Sequence, residues 1–174
     1  MVKGMYNITR KLYFFALTIG DATGQNGEKD CSLFNMNSGS PNMSVMDTNW
    51  CSADNTVPAH ITMKIQRLGF SAIGVGGVPL TPATLFNLSR AVVTMKIGDR
   101  EIKNGTLAEF FKMPGAASNA LASDFHTGPS FMELLEEQAN PKDILDFQIH
   151  IPANIGQQVR LVALMDTQNS AKQG

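Results

Sequence analysis

Residues 146–165 read Asp-Phe-Gln-Ile-His-Ile-Pro-Ala-Asn-Ile-Gly-Gln-Gln-Val-Arg-Leu-Val-Ala-Leu-Met, and they decide the fold. Phe147, Ile149 and Ile151 alternate with Gln148 and His150. Val159, Leu161 and Met165 then share one parity, with Arg160 on the other. Apolar side chains at a period of two mark strands with one buried face. The stretch Pro152-Ala-Asn-Ile-Gly156 between them supplies turn residues. The C-terminal quarter therefore predicts two strands joined by a turn, and no catalytic motif.

Working outward, residues 92–111 read Val-Val-Thr-Met-Lys-Ile-Gly-Asp-Arg-Glu-Ile-Lys-Asn-Gly-Thr-Leu-Ala-Glu-Phe-Phe. Ala91 to Ile97 is rich in β-formers, and Gly98-Asp99 fits a two-residue type II′ turn, with glycine supplying the positive φ. The implied register sets Lys96 opposite Glu101 and Met95 opposite Ile102. Thr106 with Glu109 is a capping-box pattern, predicting a short helix over Leu107, Phe110 and Phe111. Ser130 with Glu133 repeats the pattern and predicts a second helix, ended by Asn140-Pro141.

Nearer the N-terminus, residues 8–19 predict a strand whose apolar core is too short to span a bilayer. Cys31 to Met36 predicts a short strand, and Ile61, Met63 and Ile65 another. Residues 37–58 are polar and irregular, a long loop of the kind used for interaction. The segment from Gly69 to Thr84, with Gly74-Val-Gly-Gly-Val-Pro-Leu-Thr-Pro82, reads as a turn. Its glycines lack the spacing of a phosphate cradle, and no lysine follows them. From Thr167 to Gly174 the chain is polar and predicts a frayed tail. About eight strands in one domain over residues 1–174, with one or two short helices in the crossovers, define an all-β single jelly-roll β-sandwich. The N-terminal segment 1–20 and the loop 37–58 are the candidate inter-subunit elements.

Composition limits the function. Charged residues make up 17 % of the chain against a usual ~25 %, so much of the surface is neutral polar or covered. A net charge of −1 provides no field for holding nucleic acid. Ten methionines read first as adaptable core filler, with burial against neighbouring subunits as the alternative. Two cysteines, Cys31 and Cys51, cannot staple a chain this long; one bridge between them and two free thiols both stand as readings.

Chemistry is sparse. His60 precedes a strand, His126 sits in a loop and His150 lies on a strand's polar parity, without the close His-x-His spacing of a cupin metal site. No Gly-x-Ser-x-Gly elbow occurs. Glu133, Glu136 and Glu137 read as a solvated face rather than an acid/base pair. No catalytic, cofactor-binding or metal residue is nominated, and no cofactor is expected.

The stretches 92–111 and 146–164 resemble the jelly-roll capsid proteins of tailless icosahedral viruses. In those proteins a strand passes through a tight turn to a short helix, and a later strand ends in proline before the final strand. A chain of 174 residues holds one such unit, not two, so it is similar to the small major capsid protein of internal-membrane phages that build capsomers from two single jelly-roll proteins. The likeness covers roughly residues 60–166. It departs from haloarchaeal members, which are strongly acidic, and the abundant Met and Asn do not suggest a thermophile. The resemblance implies a structural, non-enzymatic protein of the virion, assembled in the host cytoplasm. Its implied partners are copies of itself, a second capsid protein and an internal lipid membrane, without sequence-specific nucleic-acid binding. Two other classes fit an all-β domain: a secreted or surface module binding glycan or protein, and a cupin-like metalloenzyme.

Overall fold

A computed structural model describes residues 6–36, 46–50, 52, 54–110 and 130–172. Among the described residues the strands are β1 (Tyr6–Ile19), β2 (Lys29–Leu33), β3 (Ile61–Gly74), β4 (Val92–Ile97), β5 (Arg100–Thr106), β6 (Ser130–Ala139), β7 (Leu145–Ile151) and β8 (Val159–Lys172). They form two four-stranded sheets, ordered β1-β8-β3-β6 and β2-β7-β4-β5. All pairings are antiparallel. The first strand pairs the last, the second the seventh, the third the sixth and the fourth the fifth. That nesting is a long ribbon, β1–β4 laid against β5–β8 and wrapped into two layers. It is the jelly roll, and the chain is an all-β sandwich.

The inner faces meet in one apolar core, to which Phe15, Met63, Phe70, Val93, Phe147 and Leu161 each contribute a buried side chain. Phe34 joins the layers, with ring centroids 5.9 Å from Phe15 on β1 and 6.2 Å from Phe147 on β7. Alternation is clean in β7, where Leu145, Phe147, Ile149 and Ile151 are all buried.

The tight hairpin has the expected turn, with Gly98 at φ 57° and Lys96 paired to Glu101. The second expected pair is not formed. Met95 opposes Lys103, because a register shift between Met95 and Lys96 leaves Ile102 as the extra residue of a bulge. The first capping-box pattern gives a single 3₁₀ turn, Leu107–Phe110. There Glu109 Oε1 accepts from the Thr106 backbone N–H at 3.1 Å, and its Oε2 accepts from Lys103 Nζ at 2.5 Å. These donors hold the Glu109 carboxyl below its ordinary range, the Lys103 bond contributing most.

Four other expectations are corrected. The second capping-box pattern is not a helix: Ser130–Ala139 is strand β6, pairing with β3 from Met63 to Phe70. A free strand edge beside β3 outweighs a local helix signal. The segment read as turn from Gly69 is β3 as far as Gly74, and it is followed by helix α1 (Pro82–Ser89). Thr81 caps α1, its Oγ1 accepting from the Thr84 N–H at 3.2 Å, with Pro82 at the first helical position. From Thr167 to Lys172 the tail is not frayed. β8 continues to Lys172, and Thr167 and Asn169 are buried. The second strand runs Lys29–Leu33, earlier than Cys31–Met36.

Candidate interaction surface

The sequence nominated no reactive residue, and its chemistry-bearing side chains are scattered. His60 is exposed at the start of β3. His150 Nδ1 lies 2.8 Å from Asp30 Oδ1, its directly opposed neighbour on β2. Cys31 is a free thiol on β2, and burial pushes its pKa up. His126 and Cys51 lie outside the described residues. Among the described residues no three His, Cys, Asp or Glu side chains gather as metal ligands would, and no helix is long and apolar enough to cross a membrane. Glu137 is tied to Arg100 at 2.6 Å, joining β6 of one sheet to β5 of the other.

One end of the sandwich is closed by amide chemistry. Gln157, in the β7–β8 turn, accepts at Oε1 from the Thr81 N–H at 2.9 Å and the Thr84 hydroxyl at 3.1 Å. On the opposite side of that turn, Asn26 donates to the Pro152 carbonyl at 2.8 Å and accepts from the Ile155 N–H at 2.9 Å. Gly24 sits at φ 75° with its α-carbon against the Gly156 carbonyl, where a Cβ would collide with backbone. These bonds turn the polar groups inward and stitch three connections into a plug.

The outer face of β1-β8-β3-β6 is different. At its centre lies Asp166, whose side chain is 5 % exposed. Arg10 on β1 grips it with two bonds, Nε to Oδ1 at 3.1 Å and Nη2 to Oδ2 at 2.5 Å. Arg67 on β3 reaches Oδ2 through Nε at 3.0 Å and Nη2 at 2.5 Å. The two guanidinium groups hold the Asp166 carboxyl below its ordinary value; the Arg10 hydrogen bond is the largest cause, and burial opposes it. Arg67 is paired with both Asp166 and Glu133 in the strand register, and its guanidinium lies 4.9 Å from the Phe131 ring centre. A row of alternating sign thus crosses the sheet: Arg10 on β1, Asp166 on β8, Arg67 on β3 and Glu133 on β6.

A bulge makes this row possible. Ile65 opposes Thr167 and Arg67 opposes Asp166, so Gln66 is the extra residue. Before it, Met63 and Ile65 point inward; after it, Leu68, Phe70 and Ala72 do. The bulge takes up the inserted residue, so the parity of the inward side chains changes and Arg67 faces outward toward Asp166.

Among the described residues, the edge of β1 is half covered. Residues 46–50 run along it as a strap. The Ala16 N–H donates to Asp47 O at 2.7 Å, Asn49 Oδ1 accepts from the Phe14 N–H at 2.7 Å, and Asn49 Nδ2 donates to Leu12 O at 2.9 Å. This strap is part of the loop 37–58, and it contacts the same chain's β1. From Asn7 to Leu12 the side chains of both parities are exposed, including Ile8 at 63 % and Leu12 at 48 %. The Arg10–Asp166–Arg67 cluster has no sign in the sequence, because its members lie far apart in the chain and only the topology joins them.

No protein-family model matches this sequence, and no curated protein is detectably similar to it.

Proposed function

We propose that this protein is a structural capsid subunit that assembles, together with a second capsid protein, into an icosahedral shell over an internal membrane. The observation that carries the reading is the complete jelly-roll pairing of eight strands, an architecture used by viral capsid domains as well as by lectins and cupins. The likeness of residues 92–111 and 146–164 to tailless-virus capsid proteins favours the first of these. Surface character supports it too. The chain is low in charge, and it exposes large apolar side chains on β1 and at the α1 end, among them Ile8, Leu12, Val78 and Phe86. A net charge of −1 suits a shell kept from its genome by lipid, since such a shell need not neutralise phosphates. On this reading the protein belongs to the virion and assembles in the host cytoplasm.

Negative-stain microscopy of the concentrated chain, and of particles purified from its source, is the direct test. Capsomers or shells carrying this chain are expected. Its absence from source particles, with no assembly alone or with other capsid components, would overturn the reading.

A further inference from the structure

The charge row on the β1-β8-β3-β6 face begins with a cation at one edge and finishes with an anion at the other. Arg10 is on β1, an outer strand of that sheet, and Glu133 is exposed on β6, the opposite outer strand. Chain directions alternate in the same way. β1 and β3 run one way, β8 and β6 the other, because each neighbouring pair is antiparallel. A second copy set beside the first in the same orientation would bring its β1 antiparallel to β6 of its neighbour. Sheet alternation and charge alternation would then both continue across the junction.

We propose that copies of this chain associate head to tail through β1 of one and β6 of the next, extending the sheet between subunits. The inference rests on the assembly reading above and names its contact. The register that sets Arg10 opposite Glu133 also sets Leu12 opposite Phe131 on the same outer face. One ion pair and one apolar pair thus coincide. The strap at residues 46–50 engages the Leu12 carbonyl, so new backbone pairing is confined to Tyr6–Lys11, and Leu12 meets Phe131 through its exposed side chain alone. There the backbone groups of even-numbered residues face away from β8: Phe14 and Ala16 offer theirs to the strap, and an unbroken register extends this alternation to Ile8. An outer strand with unpaired N–H and C=O groups is a template for another strand. A contact made by two different edges is heterologous, and it builds rings or open rows rather than closed two-fold pairs.

Light scattering after size-exclusion chromatography of the full chain, over a concentration series in low and high salt, tests this. The substitution Ile8→Pro removes an outward N–H without touching the β1–β8 ladder. Glu133→Lys reverses the last charge of the row. Wild type is expected to form oligomers that weaken in high salt. Ile8→Pro and Glu133→Lys should each weaken association roughly tenfold or more while leaving the melting temperature of the monomer near wild type. If Ile8→Pro fails to fold, Glu133→Lys alone decides. Oligomers unchanged in the folded variants would overturn this contact and leave the assembly reading standing. A wild-type chain monomeric at every concentration also overturns the contact, and microscopy of source particles then judges the broader reading separately.

Discussion

The two sheets solve the same problem with different materials. In β2-β7-β4-β5 the strands have 5, 7, 6 and 7 residues, and β7 and β4 alternate buried and less buried side chains without a break. In β1-β8-β3-β6 three strands have 14 residues, and β1 is exposed on both faces from Asn7 to Leu12. The longer sheet overhangs the shorter one. Where a facing layer exists, apolar burial fixes the register, because a one-residue slip would turn the whole apolar set to water. On the outer face of the long sheet that penalty is missing, and the Arg10–Asp166–Arg67 cluster ties β1, β8 and β3 together instead.

This contrast can be broken from either side. The largest effect belongs to the short sheet: Phe147→Ala should lower unfolding stability by about 3–5 kcal/mol in a denaturant titration, since it empties a fully buried site that packs on Phe34. Next comes the long sheet, where Asp166→Asn should cost about 2–3 kcal/mol. Two arginines lose a charged acceptor, but Arg10 can still reach water. A third test separates the sheets by pH. The Asp166 carboxyl is depressed in the folded state, so its contribution is present above its unfolded pKa of about 3.9 and is lost as pH falls through the lower folded value. Melting temperature should therefore drop in strong acid more steeply for wild type than for Asp166→Asn, whereas Phe147→Ala should keep the wild-type slope. The smallest effect is expected at the short sheet's rim. Glu109→Gln weakens a partly exposed bond to Lys103 and should shift the melting temperature barely measurably, with the difference vanishing in high salt.

The same contrast explains which parts could be read from the sequence. β7, β4 and the Gly98 turn were legible because each is a local pattern: period-two burial, or a positive φ supplied by glycine. The failures cluster in the long sheet. β3 was cut short near Gly69 because parity changes at Gln66, so its second half does not continue the alternation of Ile61, Met63 and Ile65. In β6, Ser130 and Glu133 imitate a helix start, and the strand forms because β3 offers it an edge. The end of β8 looked like a tail because Thr167 and Asn169 are polar. Both are buried: Thr167 Oγ1 donates to Lys11 O at 3.1 Å, and Asn169 Nδ2 donates to the Tyr13 hydroxyl at 3.0 Å. Helix α1 did carry a local sign, Thr81-Pro82, which the neighbouring glycines masked. The Asp166 cluster had no local sign at all, since its arginines come from strands adjacent only in the folded sheet.

Gln66 also makes β3 tolerant of the loss of one of its own codons. Removing that codon would close the bulge and leave Leu68, Phe70 and Ala72 in phase with Met63 and Ile65 on the inner face, with Arg67 still turned outward to Asp166. A three-base deletion there should therefore cost far less than deletion of a buried residue of the same strand, a difference that denaturant titration reads. A length change of that kind separates the role of an inserted residue from that of its side chain.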